Sequence, residues 1–149
     1  MAVSILYPSS TACQAAGIDK QRFNEAVAAG RYPCAPAVRK GGTRTFRRDD
    51  IVALFVFARL IEQDIPARVA GEIACALRTK LDAFPNAREL KVPRYSEQGK
   101  TPIVQETGTS PPEYEEHSVL VQMAFDVAGI RNEIGRRLKN EAGTTKQDD

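Results

Sequence analysis

Positively charged side chains are concentrated in one short stretch of this sequence, residues 20–48. The stretch holds eight basic residues and one acidic residue, Glu25, a net charge of +7 in a chain whose total is +2. The rest of the chain therefore carries −5. The basic residues are Lys20, Arg22, Arg31, Arg39, Lys40, Arg44, Arg47 and Arg48. Such a concentration of cations in a nearly neutral protein is typical of a surface that binds a polyanion.

Residues that could support catalysis are few and poorly placed. The sole histidine, His117, precedes a predicted strand and has no nucleophile or paired acid beside it in the sequence. The acidic residues at 113–116 fall in a predicted loop, where carboxylates are solvated. Gly41-Gly42 lacks the strand–loop–helix context of a nucleotide-binding loop. We therefore predict that the chain is not an enzyme and uses no cofactor.

The three cysteines, Cys13, Cys34 and Cys75, are widely spaced and odd in number. They form no CxxC pair, so their spacing favours neither a disulfide framework nor a zinc site. Cys13 and Cys75 fall within apolar helical patterns, where a reduced thiol packs as a small hydrophobic group. We predict reduced thiols at Cys13 and Cys75, no disulfide framework and no metal.

Two short helices joined by a tight turn are predicted near the start of the chain. The first spans residues 9–16 with a serine or threonine as N-cap, and Gly17 supplies the left-handed conformation that ends it. Asp19 caps the second helix, residues 20–29, and Gly30 ends it. Two helices with this separation are typical of a helix-turn-helix.

A basic hairpin and two longer helices are predicted to follow. Residues 38–46 read as the hairpin, with the two adjacent glycines at its tip. The third helix, residues 48–62, is apolar on most sides and should be the central element of the core. A fourth helix opens at Pro66 and ends at Pro85.

Beyond Pro85 the pattern changes to short strands and one helix. We predict strands at 90–95, 101–105 and 118–125, the last with clear alternation of apolar side chains. Asp126 caps a final amphipathic helix.

We expect no signal peptide in residues 2–7, because the run is short and lacks a basic leader. No apolar stretch reaches membrane-spanning length. The expectation is a cytoplasmic protein without a membrane partner.

The second helix and the hairpin could together contact double-stranded DNA. The helix can enter the major groove with its N-terminal residues toward the base edges. Gln21 and Asn24 carry amides suited to adenine, whereas Lys20 and Arg22 suit guanine or phosphate. The predicted hairpin contacts, along the backbone or in the minor groove, are Arg39, Lys40, Arg44 and Arg47. Because each phosphate contact releases counterions, affinity should fall steeply with salt.

The same residues carry a resemblance to a known family. One motif comprises Gly17, Ile18, Asp19, Phe23 and Gly30, and a second comprises Gly42, Arg44, Phe46 and Asp49-Asp50-Ile51, followed by Ile65-Pro66. With these motifs, residues 11–73 resemble the winged helix-turn-helix domain of MerR-type transcriptional regulators. The resemblance implies DNA binding, often as a two-fold dimer on a palindromic site.

The chain also departs from that family. Asn24-Glu25-Ala26 occupy the positions where the family commonly has Arg-Tyr-Tyr, so the sequence preference should differ. Arg47 replaces a capping serine. Pro85 interrupts the position of the family's long coiled-coil helix. We therefore do not expect the family's mode of effector control here, and the sequence does not identify a small-molecule effector.

We therefore predict an α+β protein with an N-terminal winged helix-turn-helix (9–84), a C-terminal strand-and-helix unit for self-association or partner binding (85–142) and a disordered tail (143–149). The predicted function is sequence-specific binding of double-stranded DNA by a dimeric, repressor-like transcriptional regulator. Two alternatives stay open. One is an excisionase-like protein that bends DNA for recombination, and the other is a winged-helix module that binds an acidic protein.

Overall fold

The computed structural model describes residues 5–95, 105–106 and 119–147, which form five α-helices and five β-strands. The helices are α1 (Ser9–Ala16), α2 (Lys20–Ala28), α3 (Arg48–Glu62), α4 (Ala67–Ala83) and α5 (Val127–Gln147). The strands are β1 (Tyr7–Pro8), β2 (Thr45–Phe46), β3 (Leu90–Tyr95), β4 (Gln105–Glu106) and β5 (Val119–Phe125). The mixture of helices and small sheets confirms the predicted α+β class.

Local sequence sets the ends of the first two helices. Gly17, at φ 75°, ends α1, and a Cβ there would lie 2.7 Å from a guanidinium nitrogen of Arg59. The Asp19 carboxylate caps α2 by accepting a hydrogen bond from the Arg22 N–H at 3.1 Å. The predicted serine or threonine cap of α1 was wrong, because Pro8 occupies the cap position.

Helix α3 is the central element of the core, as its apolar pattern predicts. Its side chains Ile51, Leu54 and Phe57 are fully buried. It packs against α1, α4 and α5, so its apolar residues are covered from several sides. The first turn of α3 thus has a fixed position beside the hairpin formed by residues 38–46.

Two small antiparallel sheets complete the fold. In the larger one β3 lies between β4 and β5, and Leu90 pairs with Glu106 on one side and Phe125 on the other. In the smaller one Tyr7 pairs with Phe46, an interaction between β1 and β2 that the sequence pattern did not predict. Residues 96–104 and 107–118 lie outside the described residues, and with them His117, most of the predicted strand at 101–105 and the acidic residues at 113–116.

Helix α5 shares its core with the N-terminal helices. Val127, Ile134 and Leu138 are buried in the same hydrophobic cluster as the core residues of α1 and α3. One core therefore takes residues from both sides of the predicted boundary between 84 and 85. The helix also continues to Gln147, into the segment predicted to be a disordered tail.

The prediction of a reduced thiol at Cys75 was wrong. Cys34 and Cys75 form a disulfide with their Cα atoms 5.4 Å apart, across 41 residues of sequence. Helix α4 can approach this segment closely because Gly71 has no side chain, and a Cβ there would lie 1.7 Å from the Arg31 carbonyl oxygen. Cys13 is free and buried, and burial raises the pKa of its thiol to about 11. A thiol with so high a pKa is a poor nucleophile.

Candidate nucleic-acid interface

Helix α2 separates an apolar face from a polar face. Phe23 and Ala26 are buried in the core. The four residues predicted to contact DNA are all exposed, namely Lys20, Gln21, Arg22 and Asn24. Glu25 is exposed as well, and its Oε1 accepts a hydrogen bond from the Gln21 side chain at 3.3 Å. The polar face therefore carries two amides, two cations and one carboxylate.

The hairpin turns at the predicted glycines. Val38 and Arg44 pair as an isolated antiparallel bridge, and the Arg39 N–H donates to the Thr43 carbonyl at 2.6 Å. Gly41 and Gly42 have φ values of 103° and 84°, a region that disfavours residues with a Cβ. The turn leaves the side chains of Arg39 and Lys40 exposed at its tip.

Aromatic packing joins α2 to the hairpin. The ring of Phe23, on α2, lies 5.7 Å from the ring of Phe46, at the base of the hairpin, and 5.8 Å from that of Tyr32. All three rings are buried, and Tyr32 also packs edge-on against Phe57 of the central helix. The polar face of α2 and the basic hairpin are therefore held by one shared aromatic cluster.

Arg44 is placed differently from the other predicted contacts. Its guanidinium donates a hydrogen bond to the Pro36 carbonyl and lies 6.0 Å from the centre of the Phe23 ring. The side chain is half-buried, whereas Arg39 and Lys40 are exposed. Arg44 thus ties the hairpin to α2 and to the segment that carries Cys34, so its primary contacts lie within the protein.

The cations of residues 20–48 form no salt bridge with any described residue. Elsewhere most of the described arginines are paired. Of the seven arginines after residue 48 whose side chains are described, six form salt bridges, namely Arg59, Arg68, Arg78, Arg131, Arg136 and Arg137. Within the described part of the chain, the arginines of the basic stretch therefore differ from most other arginines in having no carboxylate partner.

The first turn of α3 shows why Arg47 and Arg48 form no salt bridge with the carboxylates next to them in the sequence. Asp49 and Asp50 are adjacent to Arg47 and Arg48, yet both carboxylates bind arginines from other helices. Asp50 binds Arg78 of α4 at 2.7 Å, and Asp49 binds Arg131 of α5 at 3.2 Å. Arg47 and Arg48 are exposed and unpaired within the described part of the chain. The sequence analysis did not include Arg31 or Arg48 among the predicted DNA contacts, although both are exposed cations like most of the residues it named.

Two arginines hold the turn that precedes α2. Arg59 of α3 donates to the carbonyls of Ala16 and Gly17 at 3.4 and 3.1 Å, and Arg137 of α5 donates to the Ala15 carbonyl at 2.9 Å. Both guanidinium groups also lie over the ring of Phe55, at 4.8 and 5.2 Å. Cations favour the C-terminal end of a helix dipole, so this pair stabilises the end of α1 and the start of the turn.

The sequence was compared with protein-family models and with curated proteins. No protein-family model matches the chain, and no curated protein is significantly similar to it. Among the residues whose positions are described, no group of acidic, histidine and cysteine side chains could hold a metal ion. No helix in that part of the chain has the length and apolarity needed to cross a membrane.

Proposed function

We propose that the chain is a sequence-specific DNA-binding transcriptional regulator built on a MerR-like winged helix-turn-helix. In this proposal α1 and α2 form the helix-turn-helix and the hairpin of residues 38–46 forms the wing. The protein binds double-stranded DNA as a homodimer on a two-fold site and acts as a repressor-like factor.

The observation that carries the proposal is the set of cations between residues 20 and 48 that form no salt bridge with any residue the structure describes. A protein that stabilised itself with these charges would pair them, as this chain does with most of its other described arginines. Unpaired exposed cations instead retain their full attraction for an external polyanion. Phosphate contacts of this kind supply most of the affinity in protein–DNA complexes that depend strongly on salt.

In this proposal α2 contacts the bases and the hairpin contacts the phosphate backbone. Helix α2 enters the major groove with its polar face, where Gln21 and Asn24 can reach base edges. Arg39 and Lys40 follow the phosphate backbone beside that groove. Because Phe23 connects the two elements, the spacing between base contacts and backbone contacts is set by the core.

Arg44 has a positioning role in this proposal. Its hydrogen bond to Pro36 and its contact with Phe23 hold the hairpin against α2. Lysine at this position would keep the charge but lose the planar guanidinium that makes both contacts. Arg44→Lys should therefore weaken DNA binding although the net charge is unchanged.

Selection from a random duplex library tests the proposal. The chain is incubated with the library at low salt, bound fragments are sequenced over several rounds, and the number of protomers per duplex is counted by native mass spectrometry. The proposal predicts an enriched palindromic motif that is bound by two protomers.

Other outcomes would assign other functions. Failure to retard any duplex at low salt would contradict DNA binding, and competition by an acidic polypeptide would then support a protein-interaction module. Binding without an enriched motif, together with strong bending in permuted-site gel shifts, would support the excisionase-like alternative.

A further inference from the structure

Glu25 is an unusual residue for the surface on which it lies. It is the only acidic residue between Lys20 and Arg48, and it is exposed on the polar face of α2. That face carries the groups that we propose to contact bases. A carboxylate there would approach the phosphates, which repel it, unless a hydrogen-bond donor on the DNA compensates for the repulsion.

Among the described residues, no cation forms a salt bridge with this carboxylate. Arg22 lies one helical turn before Glu25, a spacing at which ion pairs form readily, yet the two form no salt bridge. The chain does form such pairs on other helices, including Arg68 with Glu72 at 2.8 Å. Glu25 instead accepts one hydrogen bond, from Gln21 to its Oε1. Within the described residues, its Oε2 is left for an external donor.

We propose that Glu25 reads a cytosine in the major groove by accepting a hydrogen bond from the exocyclic N4 amino group. This inference rests on the proposed function, in which α2 is the helix that enters the groove. Cytosine is favoured for a chemical reason. Adenine also presents an amino group there, but its N7 acceptor lies beside that group and repels a carboxylate. Guanine and thymine present only acceptors or a methyl group at these positions.

Gln21 positions the carboxylate in this arrangement. Its amide nitrogen binds one oxygen of Glu25, which orients the second oxygen outward and leaves the amide carbonyl of Gln21 available for a neighbouring donor. The pair therefore acts as one reading unit, and sequence preference should be concentrated at the base pair that faces Glu25.

The test compares the motifs selected from a random duplex library by the wild-type chain and by three variants. The wild-type chain should enrich cytosine at one position, or at two symmetry-related positions for a dimer. Glu25→Gln should change that preference to adenine, because an amide pairs with adenine N6 and N7. Glu25→Ala should lose the preference at that position only, by roughly 5- to 150-fold in relative affinity. Duplexes with another base at that position should bind the variant more tightly, because an unpaired negative charge is removed. Glu72→Gln is the matched control, since it removes one exposed carboxylate from α4 and should leave the motif unchanged.

The outcomes separate this inference from the function on which it rests. If Glu25→Ala and Glu25→Gln select the same motif as the wild-type chain, Glu25 does not read a base, although DNA binding itself stands. If the wild-type chain enriches no motif, sequence-specific binding fails and the assignment of Glu25 fails with it. Thermal unfolding of each variant checks that the exposed substitution leaves the fold intact.

Discussion

Neutralising the tip of the hairpin should reduce the salt dependence of DNA binding by a calculable amount. Arg39 and Lys40 are exposed, unpaired within the described residues and outside the core, so the double substitution Arg39→Ala/Lys40→Ala should leave the fold unchanged. Each phosphate contact contributes about 0.9 to the slope of log affinity against log salt. Loss of two contacts should lower the slope by about 1.8 per protomer. Between about 50 and 200 mM salt, the affinity of the variant should then fall about 12-fold less than that of the wild-type chain for each protomer bound.

Fluorescence anisotropy with a labelled duplex at several salt concentrations measures this slope. The matched control is Arg68→Ala/Lys139→Ala, which removes the same charge from exposed positions outside residues 20–48. We expect the slope of the control to equal that of the wild-type chain. An unchanged slope in the hairpin variant, or an equal loss in both variants, would refute the assignment of the hairpin to backbone contacts.

Further predictions concern the scaffold that holds the interface. Reduction of the Cys34–Cys75 disulfide, or its replacement by two serines, should lower the free energy of unfolding by about 4 kcal/mol, because the bond closes a loop across 41 residues. Denaturant unfolding with and without reductant measures this difference in free energy. Phe23→Ala should cost about 3–5 kcal/mol in the same assay, because the ring is fully buried, and it should weaken DNA binding beyond that loss by separating α2 from the hairpin. The pKa of Glu133 is lowered to about 2 by hydrogen bonds from Arg136 and Arg137, so the stability it contributes should be present above its ordinary pKa of 4.5 and lost as the pH falls toward 2. Thermal unfolding across that pH range should show a smaller loss in Glu133→Gln than in the wild-type chain.

The sequence predicted the helices well because their ends are determined locally. Gly17 and Asp19 act through their own conformation and side chain, so the end of α1 and the start of α2 followed from residue type. The extent of α3 followed from an uninterrupted apolar run that begins after Arg47. The exposure of Lys20 and Arg39 likewise followed from charge alone.

The features that the sequence did not predict depend on contacts between distant residues. The disulfide forms because Gly71 admits the backbone near Cys34, and neither residue signals the other in the sequence. Arg44 has the same residue type as its exposed neighbours, but it is half-buried because the Pro36 carbonyl and the Phe23 ring lie within its reach. The docking of α5 onto α1 and α3 was missed because its apolar stripe does not specify which surface covers it.

Hydrogen–deuterium exchange of the chain with and without a selected duplex tests the central claim most directly. The account predicts that the duplex slows exchange in peptides that cover α2 and the hairpin of residues 38–46, and leaves peptides from the second half of α4 unchanged. Unchanged exchange between residues 20 and 48 while the duplex is bound would contradict the claim that the basic residues of this stretch form the DNA-binding surface.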